Sequence, residues 1–119
     1  MVMNSGDKNR KEIKDFDDLE VYQLARELTV WIYKITSDFP DEEKFGIISQ
    51  IRRAITSVGA NIAEGFGRFH YKENVQFCRN ARGSLTEVKH FMISALDLGY
   101  IDEGTDKEFI ERYDKLKIK

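Results

Sequence analysis

The sequence predicts an all-α fold, an up-down-up-down antiparallel four-helix bundle. Apolar residues recur at intervals of three and four along successive segments, and the β-branched residues follow that spacing instead of alternating. Only one proline, Pro40, punctuates the 119 residues. The connectors between segments are short, and each stripe can be buried only against the others, so sequential helices become antiparallel neighbours.

The first helix is predicted to start at Phe16-Asp17-Asp18-Leu19-Glu20-Val21. Asp17 and Glu20 have the spacing of a capping box, and Phe16 can staple Val21. Leu24, Leu28, Trp31 and Ile35 then stack along one face to an end near Ser37 to Pro40. A second helix is expected from Pro40, whose missing amide is not needed in a first turn, with Asp41, Glu42 and Glu43 complementing the positive helix end. Its stripe is Ile48, Ile51, Ile55, Val58, Ile62 and Phe66, up to the Gly65-Phe66-Gly67 break. Cys78, Ala81, Leu85, Val88, Met92 and Ala95 define a long third helix that stops at Gly99. Thr105-Asp106-Lys107-Glu108 repeats the capping-box pattern ahead of Phe109, Tyr113 and Leu116, giving a shorter fourth helix.

At 41% hydrophobic and 34% charged residues, the chain suits one globular core. We assign residues 1–15 to a flexible N-terminal segment and 16–119 to the bundle. The net charge of −2 dictates no partner, so any nucleic-acid contact has to arise from local clustering. A lone cysteine, Cys78, excludes an internal disulfide, and its place on the third stripe reads as a core position. Neither a leader-like apolar stretch in the first fourteen residues nor a membrane-length apolar run is present, which sets the expectation of a cytoplasmic protein with no membrane partner.

Enzyme chemistry finds no foothold. The glycines around Phe66 follow no strand, so a phosphate loop is not expected. His70, Cys78 and His90 match no compact metal site. A di-iron bundle needs paired Glu-x-x-His elements on facing helices, and Ser84 and Ser94 have no motif supplying a base. No catalytic residue, metal, cofactor or small-molecule substrate is therefore predicted.

Two polar regions remain. At about 100° per residue, Arg53, Ser57, Asn61, Glu64 and Arg68 share one sector of the second helix. That sector is either a solvated face with pairs such as Glu64 to Arg68, or a contact with a neighbouring protomer, where Ser57 and Ala60 allow close approach and Arg53, Asn61 and Glu64 bond across it. Arg52, Arg53 and Arg68 could instead grip phosphate oxygens. On the third helix Lys72, Arg79, Arg82, Lys89 and His90 form a band beside the core stripe, readable as a basic patch or as stems covering apolar edges. Trp31, Tyr22, Tyr33 and Phe39 exceed the needs of one stripe, which points to an interface through Trp31 and Tyr33 or to rings edging the monomer core.

Gln50-Ile51-Arg52-Arg53-Ala54 and Asn61-Ile62-Ala63-Glu64-Gly65-Phe66-Gly67-Arg68 are the most distinctive stretches. With Phe16 to Val21, Gly83-Ser84-Leu85-Thr86-Glu87 and Leu98-Gly99-Tyr100-Ile101, they resemble the four-helix-bundle family encoded in intervening sequences of bacterial 23S ribosomal RNA genes. That family includes relatives of the accessory protein of diversity-generating retroelements. The resemblance implies a left-handed bundle, protomers joined in a ring of five, and nucleic-acid binding for some members. Family members often have proline where this chain has Gly59, which implies a bend in the second helix. Two functions follow as expectations. One is a homo-oligomeric accessory protein that presents Lys72, Arg79, Arg82 and Arg53 to RNA or DNA, with a nucleic-acid enzyme as a further partner. The other is a protein-binding scaffold that uses Trp31 and Tyr33 and has no nucleic-acid affinity.

Overall fold

Apolar spacing of three and four gives four α-helices in the computed structural model, which describes residues 12–68 and 70–118. They are α1 (Glu20–Thr36), α2 (Ile47–Phe66), α3 (Tyr71–Asp97) and α4 (Glu103–Ile118), with 3₁₀ turns at Phe16–Asp18 and Asp41–Glu43. No strand occurs among the described residues. The segment assigned to residues 1–15 lies outside the described residues except for its last four.

Each helix packs on the next, and α4 returns to α1 without close backbone approach across either diagonal. Side-chain pairings fix the directions. Arg52 near the start of α2 bonds to Thr36 at the end of α1. Asn74 early in α3 donates to the Gly65 carbonyl late in α2, while Tyr100 beyond α3 donates to Glu43 ahead of α2. Lys89 of α3 lies over the Tyr113 ring of α4, and Trp31 of α1 stacks on Phe109 of α4. Neighbours are thus antiparallel around the whole ring of helices, as predicted.

The core is the convergence of the four stripes: Leu28 and Ile32, Ile51, Ile55, Val58 and Ile62, Leu85, Val88 and Met92, Phe109 and Leu116 are all buried. Each such side chain contributes about 1.5–3 kcal/mol through removal from water. The stripe of α1 is wider than its spacing suggested. Val21, Ala25, Leu28, Ile32 and Thr36 are buried, whereas Leu24, Trp31 and Ile35 are half-buried. The second row faces α4, where Leu24 lines an open furrow and Trp31 meets Phe109.

Helix starts moved where capping chemistry lay outside the apolar pattern. Asp15, not Asp17, is the first cap: its carboxylate accepts from the Phe16 amide, and Asp18 reciprocates to the Asp15 amide, closing a capping box around a 3₁₀ turn. α1 then starts at Glu20 behind Leu19. Pro40 opens a 3₁₀ turn instead of α2, which begins after Gly46. The turn is anchored by buried Phe39 against Tyr100 and by the Tyr100 hydroxyl donating to Glu43 at 2.7 Å. That bond stabilises the protonated phenol and raises its pKa above the ordinary value. α4 starts before Thr105, because the Asp102 carboxylate accepts from the Thr105 amide at 2.7 Å. This bond to the charged form holds the Asp102 pKa below the usual value.

The stop at Gly99 is as expected. Its φ of +78° lets the Gly99 amide reach the Leu96 carbonyl and the Tyr100 amide reach Ala95, a Schellman closure. α2 runs as unbroken α-helix through Gly59, which lies against the Tyr22 ring.

Ile48 and Phe66, at the ends of the predicted α2 stripe, are half-buried, and Ile47 and Gly65 are buried instead. One α3 core position is also corrected. Cys78 is half-buried, and the buried residues of α3 begin only at Ala81. The reason is length. α3 has 27 residues and α4 has 16, so α4, running back from their shared turn, ends beside the middle of α3. Among the described residues, no fourth helix lies over the first turns of α3.

Candidate nucleic-acid interface

The basic side chains of α3 are placed by helical repeat alone. Taking about 100° per residue, Arg82 and Lys89 lie in one row with Tyr71, and Lys72 and Arg79 in a second row beside it. Glu73 and Glu87 lie beyond this arc, towards the α2 side, and its acid, Asp97, sits at the far end of the helix. Lys72, Arg79 and Arg82 are exposed, and Lys89 is half-buried. The structure therefore brings four predicted residues onto one strip.

α4 extends the strip with a residue the sequence reading missed. The Lys117 ammonium lies 5.8 Å from the centre of the Tyr113 ring, and the Lys89 ammonium 4.9 Å from it. Two cations from two helices thus converge on one ring, held by its negative π-face. The available signal was Lys117 four residues after core residue Tyr113. Its relation to Lys89 required the packing of α4 on α3.

The predicted arginines of α2 are not gathered in the same way. Arg52 is turned towards α1: its Nε donates to the Thr36 hydroxyl at 3.0 Å, its terminal nitrogen to the Tyr33 carbonyl at 3.2 Å, and the guanidinium stacks over the Tyr33 ring. Arg68 pairs with Glu64 at 3.1 Å and lies over Phe77. Arg53 is exposed on the outer face of α2.

The residues proposed for a protomer contact also separate. The Ser57 hydroxyl accepts from Ser84 of α3 at 2.9 Å and from the Asn61 amide at 3.0 Å, so this pair belongs to the α2–α3 seam within one chain. Trp31 is stacked on Phe109 and covered by the Arg112 guanidinium, which Glu108 holds. Glu64 stays at the surface with Arg68. Tyr33 is 40% exposed beside Val30 at 58%, and both line a mostly apolar furrow of about 530 Å³ between α1 and α2 with Thr29, Lys34, Ser37 and Thr56.

Among the described residues, no group of three or more His, Cys, Asp or Glu side chains could hold a metal ion. Glu87 and His90 do have Glu-x-x-His spacing, but both are exposed on α3 instead of projecting into the core as a di-iron site requires. No described helix is long and apolar enough to cross a membrane.

The model of the 23S rRNA-intervening sequence protein family matches residues 17–119. A solved structure from Bacteroides thetaiotaomicron VPI-5482, described as a protein of unknown function from the S23 ribosomal protein family, superposes with a TM-score of 0.72. It is 21% identical, and the match covers 81% of this chain and 90% of that one. No curated protein matches the chain.

Proposed function

Because the chain belongs to the 23S rRNA-intervening sequence protein family, we propose that it is a non-enzymatic, self-associating protein that binds RNA or DNA through the α3–α4 strip. The observation that carries this reading is the convergence of Lys89 and Lys117 on Tyr113, in line with exposed Arg82 and beside Lys72 and Arg79. The strip contains no base-reading arrangement and nothing for bond-making chemistry. It suits phosphate oxygens, whose contacts position a nucleic acid without specifying its sequence.

Binding of this kind releases counterions, so affinity falls steeply with salt. Replacing Lys72, Arg79, Arg82 and Lys89 together by alanine flattens the log–log salt slope by about 3 and abolishes binding at physiological salt. Circular dichroism checks that the helices persist. Unchanged affinity in the folded variant overturns the proposal.

The scaffold reading is favoured by a different observation, the exposed Val30 and Tyr33 beside the α1–α2 furrow. We assign this face to contact between copies of the chain, which repeats the basic strip around an assembly and multiplies its phosphate contacts.

A further inference from the structure

α4 ends beside the middle of α3, so among the described residues the first turns of α3 form an open shelf. Tyr71, the first residue of α3, is 81% exposed, an unusual position for a large ring, and no ring contact or hydrogen bond holds its side chain among the described residues. Val75 and Cys78, on the same side, are half-buried. By helical repeat of about 100° per residue, Tyr71 falls within about 20° of Arg82 and Lys89, on the row flanked by Lys72 and Arg79. One exposed ring thus heads a row of cations along one side of a single helix.

A duplex has no use for such a ring, because its bases are stacked inside and only its phosphates and groove edges are presented. An unpaired strand offers bare base faces, and stacking on an aromatic side chain beside a cationic track is the general means of holding one. We propose that the strip takes single-stranded nucleic acid, with an unpaired base stacked on Tyr71 and the adjoining phosphates on Lys72, Arg79 and Arg82. This rests on the nucleic-acid reading above and names the form of the ligand.

The test measures binding of a short fluorescent RNA strand of mixed sequence, alone and annealed to its complement, by full-length protein. The single strand binds more tightly than the duplex. Tyr71→Ala weakens single-strand binding by about 5- to 100-fold, the contribution of one stacked base, and leaves duplex affinity and the salt slope unchanged. Tyr71→Phe retains the ring and binds like the native protein. Equal or tighter duplex binding, or a Tyr71→Ala protein with native affinity, overturns the single-strand inference and leaves the basic strip standing if the quadruple alanine variant still loses binding. No binding of either probe by the native protein overturns both.

Discussion

The guanidinium of Arg52 sits at the C-terminal end of α1, where unpaired carbonyls and the helix dipole both favour a cation. It adds a bond to the Tyr33 carbonyl, which already accepts from the Ser37 amide, and donates to the hydroxyl of fully buried Thr36, which itself donates to Ile32. Arg52→Ala should lower unfolding free energy by about 1.5–3 kcal/mol, because a hydrogen bond from a charged donor and a stacking contact are lost together. Urea denaturation measures this. The same variant should keep native RNA affinity, since the side chain is occupied within the protomer. A stable Arg52→Ala protein that fails to bind RNA would reassign Arg52 to the interface. The sequence showed two adjacent arginines; that one faces α1 and the other solvent is a matter of about 100° of helix rotation, visible only once α1 has a place.

At the scale of one element, α3 and the stop that follows it hold two glycines with opposite requirements. A Cβ at Gly83 or at Gly99 would meet nothing within 4 Å, so packing does not distinguish them. Backbone conformation does. Gly83 lies within regular helix, whereas Gly99 has a φ of +78°. Gly83→Ala should therefore stabilise the protein by about 0.5–1 kcal/mol and Gly99→Ala destabilise it by about 1–2 kcal/mol. Thermal unfolding of the two variants under one condition checks the opposite signs, and a shift in the same direction for both refutes the argument. The stop at Gly99 was legible in the sequence because a glycine just past a periodic stripe is a local signal. The caps at Asp15 and Asp102 were not, because Asp17 and Thr105 offer the same local chemistry nearby, and the choice depends on how Leu19 and Ile101 enter the core.

For the whole molecule, the question is what the apolar α1–α2 face does. Light scattering of the 13.9 kDa chain should give a mass of several protomers, near five if the ring implied by the family resemblance forms. Val30→Glu with Tyr33→Glu should reduce it to one chain with helicity intact, because buried unpaired carboxylates cannot be accommodated in a contact. The assembled form should also show the steeper salt dependence, as more phosphates are neutralised per particle. A native monomer would remove self-association from the proposed function and leave the α3–α4 strip to act alone.

The existence, order and antiparallel arrangement of the helices were determined by the sequence itself, since three-and-four spacing is local information that every stretch carries for itself. Ile51, Ile55, Val58 and Ile62 could be placed in the core without knowing what they touch. Tertiary structure alone decided which ends of those stripes are covered. Cys78 continues the α3 stripe yet is half-buried, because cover depends on how far α4 reaches. Ser57 meets Ser84, and Lys117 joins Lys89, through residues 27 and 28 positions apart in the chain. Periodicity fixes the face a residue occupies on its own helix; the length and rotation of the neighbouring helix fix whether that face becomes core, seam or open shelf.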